Sequence, residues 1–164
     1  MERSTKLSGY KQVPADINII QSNLMDRNAR DELDGFLLYL LGLISLDKDD
    51  LKAARGYLTR SVEKYPCNWS AWKALLSACP AYSDYNELNL PVHFMTDFFR
   101  AGALVEFQKN EEALNILFGL SQDFPQSDAL ILTTATAQNN LQNYDEAQNL
   151  FEDLLKQNPN RIQV

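Results

Sequence analysis

Three stretches of this chain repeat one spacing of an alanine, a large apolar residue and a proline. They read "ARGYLTRSVEKYP", "ALNILFGLSQDFP" and "AQNLFEDLLKQNP", and each has Leu or Phe four residues after the Ala and Pro eight residues later. The closing prolines are Pro66, Pro125 and Pro159. The last two lie 34 residues apart, and the first two lie 59 apart, which leaves room for one shortened unit between them.

A 34-residue period with this spacing is typical of the second helix of a tetratricopeptide repeat. The first helix of such a unit follows the pattern Trp-x2-Leu-Gly-x2-Tyr. Its places are held by Leu38, Leu41, Gly42 and Ser45 in the first copy, by Trp72 and Leu75 in the next, and by Ile131, Thr134, Ala135 and Gln138 in the last. Small residues there allow two helices to approach closely, and proline ends the second helix. The sequence therefore predicts an all-α tetratricopeptide-repeat solenoid of antiparallel helix hairpins with a right-handed superhelix. An ordinary helical bundle is the alternative.

The repeat spacing predicts how the chain is organised. Residues 1–30 form an N-terminal segment with one possible helix after Pro14, and residues 31–164 form an array of about four units. The first unit runs from about 35 to 68, the third from about 93 to 127 and the fourth from about 128 to 161. The second unit begins at 69, has a good first helix to Ser77 and then a short or irregular helix. In the N-terminal helix Ile17, Ile20 and Leu24 are expected on one face, and Asn110 and Asn143 are expected to cap second helices. No capping helix follows Pro159, which indicates a fragment of a longer array or a last unit covered by a partner.

Composition argues against several functional classes. The net charge is −7, with no cluster of Lys or Arg, so neither a nucleic-acid partner nor an anionic membrane is expected. Two cysteines, Cys67 and Cys79, and one histidine, His93, match neither zinc-ligand spacing nor a nucleophilic pair. We therefore expect no catalytic residue, no metal and no cofactor, and predict that the chain is not an enzyme.

Four segments occur in an order that resembles a known family. They are "DGFLLYLLGL", "NWSAWKALL", "LPVHFMTDFFRAGALVEFQKNEEAL" and "YDEAQNLFEDLLKQNPNR", and the stretch from His93 to Phe99 is the most specific of them. Over residues 34–161 they resemble the N-terminal tetratricopeptide region of subunit eight of the anaphase-promoting complex, the cell division cycle protein twenty-three family. The resemblance implies a non-catalytic scaffold in a multisubunit ubiquitin ligase of the cell cycle. It also implies contact with other subunits, homodimerisation through the N-terminal repeats, and a location in nucleus and cytoplasm.

Two candidate interaction surfaces follow from the repeat register, because the first helix of each hairpin lines the concave groove. In the first unit the groove places hold Phe36, Tyr39, Leu43 and Leu46, which would form an apolar dimer contact unless residues 15–30 cover them. In the fourth unit they include Thr136, Asn139 and Asn140, which could bind a peptide backbone; Asn139 and Asn140 could equally form the turn between helices. The second function considered is therefore a tetratricopeptide adaptor or co-chaperone that binds a peptide tail.

Overall fold

The computed structural model describes residues 15–157, and every regular element in that range is an α-helix. The helices run in chain order as α1 Ala15–Ala29, α2 Gly35–Asp47, α3 Leu51–Lys64, α4 Trp69–Ser77, α5 Tyr82–Asn86, α6 Phe94–Glu106, α7 Asn110–Asp123, α8 Asp128–Asn140 and α9 Tyr144–Gln157. Consecutive helices α2 and α3, α6 and α7, and α8 and α9 make the most extensive contacts. The prediction of an all-α tetratricopeptide solenoid is confirmed.

The turn inside each of these three hairpins has the same backbone conformation. Asp49, Gln108 and Gln142 stand two residues after the end of the first helix with φ of 61°, 59° and 65°, in the left-handed region. The amide of the following residue then donates to a carbonyl five residues earlier, at N···O distances of 2.9, 2.7 and 3.0 Å. This arrangement satisfies carbonyls that a helix end would otherwise leave free. The three turns are separated by 59 and 34 residues, the same intervals as the prolines.

Close approach of α2 and α3 depends on a glycine. A Cβ atom added to Gly42 would lie 2.5 Å from Cγ of Leu58, which is fully buried. Nearer the open end of this hairpin, the Ser61 hydroxyl donates to the carbonyl of Gly35 at 2.6 Å. These contacts explain why the sequence pattern has small residues in the first helix and a large one four residues after Ala54.

The second unit is shortened but remains well packed. Trp72 of α4 is fully buried, its ring lies 4.9 Å from that of Phe99, and its indole N–H donates to the carbonyl of Pro66 at 2.7 Å. The short helix α5 stands where a full second helix would be, and its Tyr85 packs against the same core. Arg55 of α3 holds this region by donating to the Ala78 carbonyl at 2.8 Å and pairing with a carboxylate of α5. The first unit is thereby joined to the third through a continuous core.

Helix α1 packs on α2 through both apolar and polar side chains. Leu24 is buried and Ile17 is partly buried in a cluster with residues of α2. Ile20, which the helical spacing places on the same face, is 44% exposed. Helix α1 instead uses polar side chains near that position: Asn18 and Gln21 both accept hydrogen bonds from the Lys48 ammonium group.

The expectation that Asn110 caps α7 was also wrong. The position equivalent to Asp50, which does cap α3, is Lys109, and Asn110 is the first residue of the helix. Asn110 stands three residues before its repeat alanine, whereas Asn143 stands four before its own. The buried Asn110 side chain instead accepts a hydrogen bond from the Asn140 amide at 3.1 Å and thus links the third and fourth units.

Candidate protein-interaction surfaces

The four predicted groove residues of the first unit are not exposed together. Tyr39, Leu43 and Leu46 are partly buried and pack against the core cluster that contains Trp72. Phe36 is 56% exposed and is the accessible member of the set. The cluster between α1 and α2 is formed by other α2 residues, namely Leu37, Leu38, Leu41 and Ile44. The tertiary structure therefore partly buries this groove between repeat helices, and the dimer contact itself stays a prediction.

Phe36 is one of four exposed apolar residues near the start of α2, the end of α3 and the start of α4. Its ring lies 4.9 Å from that of Tyr65, at the end of α3, and Trp69 begins α4. Tyr65 and Trp69 are 44% and 41% exposed, and Leu40, one turn along α2 from Phe36, is 39% exposed. We call Phe36, Leu40, Tyr65 and Trp69 the aromatic edge. The sequence pattern had indicated only Phe36, because the exposure of the others depends on how α3 and α4 end and begin.

The polar residues predicted for the fourth unit are engaged within the fold. The Thr136 hydroxyl donates to the carbonyl of Leu132 in its own helix at 2.9 Å. The Asn140 amide bonds Asn110, and the carbonyl of Asn139 accepts the turn amide of Gln142. The contact of Asn139 belongs to the turn between α8 and α9, whereas the contact of Asn140 joins the fourth unit to the third. Peptide binding by these residues stays a prediction.

The two thiols and the histidine lie in different environments. Cys67 is exposed, whereas Cys79 is buried, and burial raises the pKa of its thiol to about 11. The Nδ1 atom of His93 accepts the amide of Met95 at 3.2 Å and so caps α6. Within residues 15–157 no group of His, Cys, Asp or Glu side chains has the arrangement of a metal site. None of the helices in that range is both long and apolar enough to cross a bilayer.

Comparison with known proteins gives the family of this chain. A family model described as "Anaphase promoting complex subunit 8 / Cdc23" matches residues 5–137, most of the chain and further towards the N terminus than the motifs quoted above. The chain belongs to this family. A tetratricopeptide-repeat model matches residues 128–161, which contain α8 and α9.

Individual relatives agree with the family match. "Anaphase-promoting complex subunit 8" of Dictyostelium discoideum is 43% identical over 136 residues, which cover 82% of this chain and 23% of that protein. The Arabidopsis thaliana protein of the same name is 37% identical over 131 residues, covering 80% of this chain and 23% of that protein. The human "Cell division cycle protein 23 homolog" is 32% identical over 145 residues, covering 88% and 24%. The chain thus spans about a quarter of the length of these relatives.

Proposed function

We propose that this chain is a non-catalytic scaffold segment of an anaphase-promoting complex, a multisubunit ubiquitin ligase of the cell cycle. The match of the family model to residues 5–137 is the observation that carries the proposal. The fold is suited to the role, because stacked helix hairpins form an extended surface on which other proteins can bind. In a cell that expresses the tagged chain, native purification followed by mass spectrometry should recover other subunits of the complex. An equally expressed, unrelated repeat protein is the control and should recover none of these subunits. If the tagged chain also recovers none of them, this role is refuted.

We propose further that the chain forms a homodimer through its first repeats, with the aromatic edge as the exposed part of the contact. Apolar surface that is left in water costs about 25 cal/mol for each Å². A two-fold interface would bury the same patch on both chains at once. Phe36 and Leu40 lie one helical turn apart and are both exposed, so their side chains are available without disturbing the core.

Sedimentation equilibrium tests the dimer directly. The parent chain should be dimeric at roughly tens of micromolar, a range in which a moderately weak dimer is populated. Phe36→Glu together with Leu40→Glu would place four like charges in the contact and should give a monomer with an unchanged helical spectrum. Val92→Glu is the matched control, because Val92 is a fully exposed aliphatic residue between α5 and α6. A monomeric parent chain, or a double variant that remains dimeric, would contradict the proposal.

The location of the protein in nucleus and cytoplasm is likewise a proposal that rests on its family. A fluorescent fusion of the chain should be seen in both compartments, and complete restriction to a membrane organelle would contradict it. The adaptor that binds a peptide tail gains no support from Thr136 or Asn140, whose polar groups already bond within the fold. We therefore do not propose that function.

A further inference from the structure

An apolar groove lies between the second helix of the third unit and both helices of the fourth. It has a volume of about 500 Å³, within the range of sites that hold ligands. Residues of α7, α8 and α9 line it, chiefly Leu114, Phe118, Phe124, Leu130, Ile131 and Leu150. Phe118 is 71% exposed at its margin, an unusual position for so large an apolar side chain in water.

The apolar character of this groove is specific to the third unit. The positions equivalent to Phe118 in the first and fourth units are Thr59 and Glu152, at the intervals of 59 and 34 residues. The position of Leu114 likewise holds Arg55 in the first unit and Gln148 in the fourth. The repeat fold is therefore built with polar residues at both places elsewhere in this chain. Packing of the hairpin does not account for the exposed part of Phe118.

The part of the chain that forms the groove is strongly acidic. Residues 101–157 contain nine Asp and Glu residues but only two lysines and no arginine. This part therefore has a net charge of −7, the same as that of the whole chain. Both lysines are paired with carboxylates of their own helix region, Lys109 with Glu112 and Lys156 with Asp153. No lining residue carries a charge. An apolar surface in a negative field attracts ligands that combine apolar and positive groups.

We propose that this groove binds a short segment of a partner protein in which aliphatic or aromatic anchors are flanked by Lys or Arg. The anchors contact Phe118 and the apolar lining, as apolar residues of an amphipathic peptide do in other grooves. The flanking cations meet the acidic field, in which Glu111 and Glu146 stand one turn before Leu114 and Leu150 of the lining. This proposal depends neither on dimerisation nor on a place in the ubiquitin ligase.

Fluorescence anisotropy with three labelled peptides tests both parts of this chemistry on the complete chain. The first probe, GRKLARLWKRG, has apolar anchors and cations; the second, GEELAELWEEG, reverses the charges; the third, GRKSARSSKRG, lacks the anchors. The first should bind at least about tenfold more tightly than the others, because apolar anchors dominate affinity and charge adds to it. Its affinity should fall as salt is added. Equal binding of the second or third probe would overturn the proposal.

Substitutions locate the binding to the groove. Phe118→Thr introduces the residue of the first unit and should weaken binding of the first probe by about tenfold. Ile19→Thr on α1, where the side chain is 61% exposed, is the matched control and should have no effect. Ser121→Arg places a cation in the groove and leaves Phe118 intact, so it tests the site even if Phe118→Thr destabilises the fold.

Two further outcomes decide against the proposal. If neither Phe118→Thr nor Ser121→Arg weakens binding, the peptide binds elsewhere on the acidic surface. If Phe118→Thr abolishes self-association of the chain in sedimentation velocity and the first probe does not bind, the groove is occupied by a second copy of this chain and not by a basic peptide.

Discussion

Replacement of Gly42 by alanine tests the close contact between α2 and α3. The new Cβ would lie 2.5 and 2.6 Å from Cγ and Cδ2 of Leu58, distances that real Cβ atoms do not adopt. Leu58 is fully buried, so its branched carbon can move only if the helices separate. Overpacking of this kind costs about 1–3 kcal/mol. Alanine also gains about 1 kcal/mol of helix propensity over glycine, which offsets part of that cost.

A second glycine separates these two effects. A Cβ added to Gly56, in the middle of α3, would meet no atom within 4 Å. Gly56→Ala should therefore stabilise the protein by about 0.5–1 kcal/mol. The two alanine variants share the propensity gain, so the difference between them isolates the overpacking term of about 1–3 kcal/mol. In a chain of this size it separates their melting temperatures by about 2–4 °C for each kcal/mol.

Thermal and urea unfolding followed by far-ultraviolet circular dichroism measure this difference. Combining Gly42→Ala with Leu58→Ala provides a further check, because removing the Leu58 side chain removes the clash. Leu58→Ala alone should cost about 2–5 kcal/mol, and the double variant should be more stable than the sum of the single effects. If Gly42→Ala melts with Gly56→Ala, or if the two changes at Gly42 and Leu58 are additive, the contact does not have the importance assigned to it.

Four other expectations concern stability. Ala147→Leu should cost about 1–3 kcal/mol in urea unfolding, because Ala147 is buried between helices. Trp72→Phe should cost about 1–3 kcal/mol by leaving the Pro66 carbonyl without its indole donor. Gln142→Gly should raise stability by about 0.5–1 kcal/mol, since glycine adopts the left-handed conformation without steric cost. The raised pKa of Cys79 predicts that stability declines as pH rises from about 9 towards 11, and that Cys79→Ala reduces this decline.

Each of these expectations has a result that would contradict it. The Cys79 prediction follows from its sign: the unfolded thiol loses its proton at lower pH than the buried one, so alkaline pH favours unfolding. The exposed Cys67 provides its control, because Cys67→Ala should leave the pH profile unchanged. An unchanged profile for Cys79→Ala would refute the burial effect. Parent-like unfolding of Ala147→Leu would contradict the packing argument, and parent-like unfolding of Trp72→Phe would contradict the role of the hydrogen bond. A less stable Gln142→Gly would contradict the argument about the turn.

The sequence by itself determined the fold class and the register of the helices. The spacing of Ala, Leu or Phe, and Pro expresses rules that act within one helix hairpin, because side chains four residues apart share a helix face and proline ends a helix. Those rules placed Ala113 and Ala147 among buried residues, where the structure has them. They also anticipated that no full second helix would follow α4, where the structure has the short α5.

The tertiary structure decided which apolar residues remain exposed, since exposure depends on neighbours that are distant in the chain. Tyr39 and Leu43 occupy groove places in the register, yet both pack against the core around Trp72, which the shortened second unit brings together with the third. The turn residues Asp49, Gln108 and Gln142 gave no signal either, because none is a glycine and only the chain path imposes their left-handed backbone. The groove beside Phe118 forms from three helices of two units, and a pattern confined to one helix cannot describe it.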